Sequence, residues 1–144
     1  MATGRGQKEE NMDKVNKIIN IGIYNTDIMV HFGSYDYLKE ELISRFGLED
    51  TLSILGGMNI NSNILGRTVL LSTGNIILWI PNVPKTNKDK GTLAHEIYHA
   101  ACEIMNKIDV PPCSENEEAY AYLIGYITSK IEEILTSSCA DDVQ

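Results

Sequence analysis

His95, Glu96 and His99 stand in the run Thr92-Leu-Ala-His-Glu-Ile-Tyr-His-Ala100, an HExxH spacing. Residues four apart on a helix share a face, so the two imidazoles can converge on one metal ion. Glu96 lies about 100° further round the axis. It stands beside the metal instead of among its ligands, where a carboxylate can take a proton from water. Two ligands and a base thus come from little more than one turn of rigid backbone. These residue types point to one zinc ion per chain. The bland alternative is a pair of hydrogen-bonded, inert histidines on a half-buried helix.

An open zinc site needs a third protein ligand and leaves its fourth position to water. Downstream acids cluster at Glu115, Glu117 and Glu118, just after Pro111-Pro112. Ser114-x-x-Glu117 matches a capping box, in which Glu117 would fold back onto the backbone of Ser114. That leaves Glu118 as the expected ligand and Glu117 as its rival. Levels along the two helices agree if the first stops near Met105, with Asn106 as a left-handed stop.

The surrounding helices and strands follow from pattern. Lys14 to Asn20 reads as a short polar helix or lead-in. Ile21 to Phe32 is rich in β-branched residues and reads as a strand, broken near Asn25 to Asp27. A helix through Tyr37, Leu38, Leu42 and Arg45 is expected to stop at Gly47, and Thr51 to Asn63 is ambiguous, Gly56-Gly57 and three asparagines arguing for loop around a short apolar turn. Arg67–Ser72 and Asn75–Ile80 flank Thr73-Gly74 as a hairpin. Helices are expected over Thr92 to about Met105 and Ser114 to about Leu135. The order implies one α+β domain over residues 13–136, between flexible tails at 1–12 and 137–144.

The totals agree with a single domain: 144 residues, 43% hydrophobic, 22% charged. A net charge of −8 disfavours nucleic acid as a partner. Lys85, Lys88 and Lys90 lack interleaved aromatics and read as a solvated loop. No run approaches the ~20 apolar residues of a membrane span, so no membrane partner is expected. The first residues carry no apolar signal core, and Cys102, Cys113 and Cys139 form no CxxC pair. A cytoplasmic location, within a bacterial host if the chain is phage encoded, is the expectation.

The HExxH run, followed by Glu117-Glu-Ala-Tyr-Ala-Tyr122, resembles the gluzincin branch of the zincin metallopeptidases. More narrowly it is similar to ImmA/IrrE-type metallopeptidases, which cleave regulators in mobile elements and stress responses, and to small phage-encoded HExxH proteins. The resemblance spans Asn75 to Gly125. It implies a small minimal-zincin-like domain: a twisted, mostly antiparallel sheet packed on the active-site helix and a second C-terminal helix. His95, His99 and Glu118 would hold Zn2+, with Glu96 as general base. The strand Asn75–Ile80 would be the edge along which a peptide or protein substrate lies. Where many gluzincins carry an Asp four residues after the ligand Glu, Tyr122 stands. A phenol can accept a hydrogen bond from an imidazole but supplies no charge.

Further candidates carry weaker signals. Tyr98, Tyr120, Tyr122 and Tyr126 lie near the site by helical spacing, and one of them could donate to an oxyanion. His31, on a strand, could approach as a donor, although a structural histidine is the commoner case. Cys102 shares the face of His95 and is more often a small buried side chain than a spare ligand. Trp79 could line a substrate pocket or pack under the active-site helix. Zinc-dependent peptide hydrolysis competes with two other readings. One is a non-catalytic, zinc-stabilised binding domain, and the other a phage accessory or structural protein that keeps the fold. Glu96 favours hydrolysis, since a structural site has no use for a carboxylate beside its ligands.

Overall fold

A computed structural model describes residues 14–61 and 63–141, with 138–141 as helical backbone only. Its first element corrects the short polar helix or lead-in expected at Lys14–Asn20, because Val15–Ile21 is a strand, β1. Val15, Ile19 and Ile21 are buried while Lys17, Ile18 and Asn20 are exposed, an alternation that becomes legible only once a partner strand is in place. A short 3-10 turn at Gly22–Tyr24 follows, and Asn25 closes it in the left-handed region (φ 48°) that asparagine tolerates. The chain then returns as β2, Thr26–Phe32, antiparallel to β1. The break expected near Asn25 is therefore a full reversal.

Helix α1, Tyr35–Met58, is capped by the Ser34 hydroxyl, which accepts from Tyr37 N at 3.2 Å. Gly47 (φ 81°) breaks it where a stop was expected, but the helix resumes. The ambiguous segment from Thr51, for which loop was argued, is helical to Met58, since Thr51, Leu55 and Met58 recur at helical spacing and are buried. That packing outweighs the cost of Gly56-Gly57, about 1 kcal/mol each.

The hairpin at Thr73-Gly74 forms as expected, joining β3 (Arg67–Leu70) to β4 (Ile76–Ile80), with Gly74 at φ 90°. The sheet order is β1-β2-β4-β3, and β2 pairs with β4 in parallel. The sheet is therefore mixed, and two of its three pairings are antiparallel. This order overturns one expectation: the strand ending at Ile80 is interior, its five residues all buried, and among the described strands the edge beside it is β3.

Alternation divides the core into two. Ile28, Val30, Phe32, Ile76, Leu78 and Ile80 face helices α2 (Asn87–Lys107) and α3 (Glu117–Asp141). Met29, Ile77 and Trp79 face α1 on the other side. The result is an α+β domain with helices on both faces of a four-stranded sheet.

Helix α2 begins at Asn87 rather than Thr92. A capping box between Thr86 and Asp89 starts it, so Lys88 and Lys90 ride its first turns instead of a loop. Backbone N–H groups of Lys85 and Thr86 hold the Asp89 carboxyl below the usual range. The helix ends at Lys107, past the expected Met105, and the left-handed residue is Asp109 (φ 60°), not Asn106. Helix α3 runs on to Asp141, through much of the segment expected as a C-terminal tail. The expected tail over 1–12 lies outside the described residues. Among the described residues no helix is long and apolar enough to cross a membrane.

Candidate metal centre

The buried stripe of α2 is Leu93, Ile97, Ala100, Ala101 and Ile104, which rest on the sheet and α3. Helical arithmetic sends His95 and His99 to the opposite, solvent face, and both are exposed there. Their Nε2 atoms approach to 3.0 Å, with ring planes inclined at 72°. Two imidazole nitrogens on one tetrahedral zinc, each at about 2.05 Å, would stand about 3.3 Å apart. The pair therefore already has nearly the separation that one ion requires.

Glu96 turns towards β3 and is only 5% exposed. The Thr68 hydroxyl lies 2.7 Å from its Oε2 and 3.1 Å from its backbone oxygen, sharing one proton between them. Gly66 completes this wall. A Cβ there would fall 3.0 Å from Glu96 Cγ and 3.3 Å from the Trp79 carbonyl. A cavity of about 420 Å3 opens between His95, Glu96, Thr92 and Gly91 on α2 and Leu65-Gly66 before β3. Thr68 and Gly66 were not singled out from the sequence, and no local pattern marks them. Only the register that lays β3 beside α2 brings them to Glu96.

The opposite flank of α2 carries Tyr98 and Cys102. The Tyr98 ring is 6.4 Å from that of His99, and its hydrogen bond with the Cys102 thiol pushes the phenol pKa up. Cys102 is half-buried beside it, as a small packing residue would be. Tyr98 shares a cavity of about 450 Å3 with Glu117, Tyr120, Ala121 and Ile124 of α3. The Tyr120 hydroxyl is engaged elsewhere, donating to Val110 O at 2.7 Å. Of the four tyrosines, Tyr98 is the one standing beside the histidine pair.

The capping box expected at Ser114 does not form. Ser114–Asn116 is a 3-10 turn, Cys113 precedes it without a side-chain cap, and α3 opens at Glu117. The reason for setting Glu117 aside thus falls away. The core stripe of α3 is Tyr120, Leu123, Ile127 and Ile131. Glu118 is exposed and nearly opposite that stripe, whereas Glu117 lies about 100° nearer α2 and lines the cavity with Tyr98. Among the described residues no third His, Cys, Asp or Glu joins the histidines in one group.

Four other candidates are moved away from the site. Tyr122, 77% exposed, and Tyr126 line a separate cavity with Ile21–Tyr24, on the far flank of α3. His31 is fully buried on the α1 face of the sheet, because odd residues of β2 face away from α2. It cannot donate at the histidine pair through the sheet. Asn16 Nδ2 donates to Glu41, so Asn16 Oδ1 must accept from His31 Nδ1 at 2.9 Å. That leaves a bare, unpartnered Nε2, and burial lowers the pKa of His31 to about 4. Trp79 also faces α1 and donates to Gly33 O at 2.8 Å, so it neither lines this site nor packs under α2.

No protein-family model, curated protein or solved structure matches the chain.

Proposed function

We propose that the protein is a zinc-dependent metallopeptidase, and the observation carrying this reading is the 3.0 Å convergence of His95 and His99 with Glu96 held alongside. Inert histidines have no need of a buried carboxylate pinned by Thr68 and given room by Gly66. The donor set fits zinc: two imidazoles from one helix turn, with a carboxylate to come from the acidic turn that opens α3. Glu117 is preferred over Glu118 as that third ligand, because it lines the cavity shared with Tyr98. Zinc, when bound, supplies the Lewis acidity that polarises a carbonyl and makes a water acidic.

The remaining work falls to side chains. Thr68 occupies Oε2 of Glu96 and holds the carboxylate towards the cavity beside His95. The other oxygen, Oε1, takes a proton from the attacking water and returns it to the departing amine. Tyr98, beside His99, would donate to a developing oxyanion by exchanging its Cys102 partner for it.

The test pairs metal analysis with a peptide library. Glu96→Gln should keep zinc content and fold, because this side chain is no ligand and Gln is nearly isosteric. Hydrolysis should fall by the ~10²–10⁴-fold typical of a lost general base. Loss of zinc in Glu96→Gln, or equal cleavage by both proteins, would overturn the assignment.

A further inference from the structure

Among the described strands β3 is the edge on the side of His95, and it carries a cation that no described residue pairs. Even residues at the start of β3 face α2: Thr68 holds Glu96, and a Cβ at Gly66 would press on the same side chain. The odd ones face the other way, since Val69 packs with the α1-side core and Arg67 stands opposite Trp79. Arg67 Nε is shut off from solvent and has no hydrogen-bond partner. Among the described residues its guanidinium makes no ion pair. Nε itself is out of reach, but Arg67 is only half-buried and its two terminal nitrogens are neither enclosed nor bonded, so they are what an acceptor from outside can meet. A carboxylate matches the planar guanidinium fork best.

Edge strands offer unpaired backbone groups to an extended peptide, and side chains of the added strand then alternate between the two faces. From these observations we infer that Arg67 selects an acidic residue in a peptide laid along β3. The selected carboxylate reaches the α1 face, while an adjoining residue of the same peptide faces Glu96 and His95. This deepens the proposed peptidase reading and rests on it for the purpose of the groove. The substrate class is an extended peptide with Glu or Asp at one fixed position. Because the chain carries a net charge of −8, its overall field repels acidic peptides, so a preference for one would report a local contact.

The test measures binding apart from cleavage. Zinc-loaded Glu96→Gln protein is titrated, by fluorescence anisotropy, into labelled neutral decapeptides in which one Glu, Gln or Lys is moved through each position. Glu at one position should bind at least about tenfold more tightly than Gln there, and Lys more weakly than either. Arg67→Met, close in volume and without a charge to satisfy, should erase the preference while keeping zinc and neutral-peptide affinity. Arg67→Glu should reverse it towards Lys. Uniform binding at every position, no binding at all, or a preference that survives Arg67→Met would each overturn the inference. A preference that follows Arg67, in a wild-type protein that cleaves nothing, would sink the peptidase reading and leave this one standing.

Discussion

The two flanks of α2 differ in how far they are finished. Towards β3, Glu96 is buried, its Oε2 is engaged by Thr68, and Gly66 leaves room for it. Towards α3, Tyr98 is 46% exposed, Glu117 and Glu118 are both exposed, and among the described residues no acid joins the histidines in one group. The first flank is set by a hairpin whose hydrogen bonds fix register to one residue. The second depends on the tilt and level of a helix joined by a loop rich in Pro and polar residues, where a small rotation moves a carboxylate by several ångströms. Bound metal adds its own free energy to the folded state, so the looser flank is where that energy would be used.

The largest effects are expected at the histidines. His95→Ala and His99→Ala should each abolish zinc retention, measured as metal per chain after dialysis. Wild-type occupancy in either would put the ion elsewhere. Next in size are the acids of α3. Glu117→Ala should weaken zinc by at least about tenfold, while Glu118→Ala should stay near the wild type in a competitive chelator titration. The opposite ranking would mean that α3 is turned about its axis relative to the arrangement described above.

On the finished flank, Thr68→Val should leave zinc content unchanged. It should slow hydrolysis about tenfold, the size of one lost hydrogen bond to a carboxylate. A loss of metal instead would show that β3 supports the ligands as well as the base.

The smallest effect at the site is expected from His31, across the sheet. Its folded-state pKa of about 4 lies below the ordinary 6.5, so the folded chain binds fewer protons than the unfolded one between those values. Stability should be fully present above pH 6.5 and fall, by up to about 3 kcal/mol, as the pH drops through that window to 4. His31→Gln should flatten this slope in urea unfolding while leaving zinc content and neutral-pH hydrolysis alone. A slope unchanged in the variant would assign it to other groups.

Local pattern carried the HExxH helix, the Thr73-Gly74 hairpin and the break at Gly47, because each depends on residues close together in the chain. It failed where a long-range partner decides. Polar Lys14–Asn20 is a strand only because β2 lies beside it, and Gly56-Gly57 are helical only because Thr51, Leu55 and Met58 pack. The capping-box signature at Ser114-x-x-Glu117 was present in residue type but not in geometry, since a 3-10 turn intervenes. Thr68, Gly66 and Arg67 had no signature at all.

What the sequence alone determined is therefore the azimuth of three side chains. On any helix, His95 and His99 share a face and Glu96 stands about 100° to one side, by the geometry of 3.6 residues per turn. Everything that meets those side chains was left to long-range packing. It set which strand forms the edge, which face of the sheet receives His31, and which acid of α3 turns towards α2. Those outcomes follow from strand order, register and helix rotation, and these are fixed by burial summed over residues far apart in the chain, which no local spacing encodes.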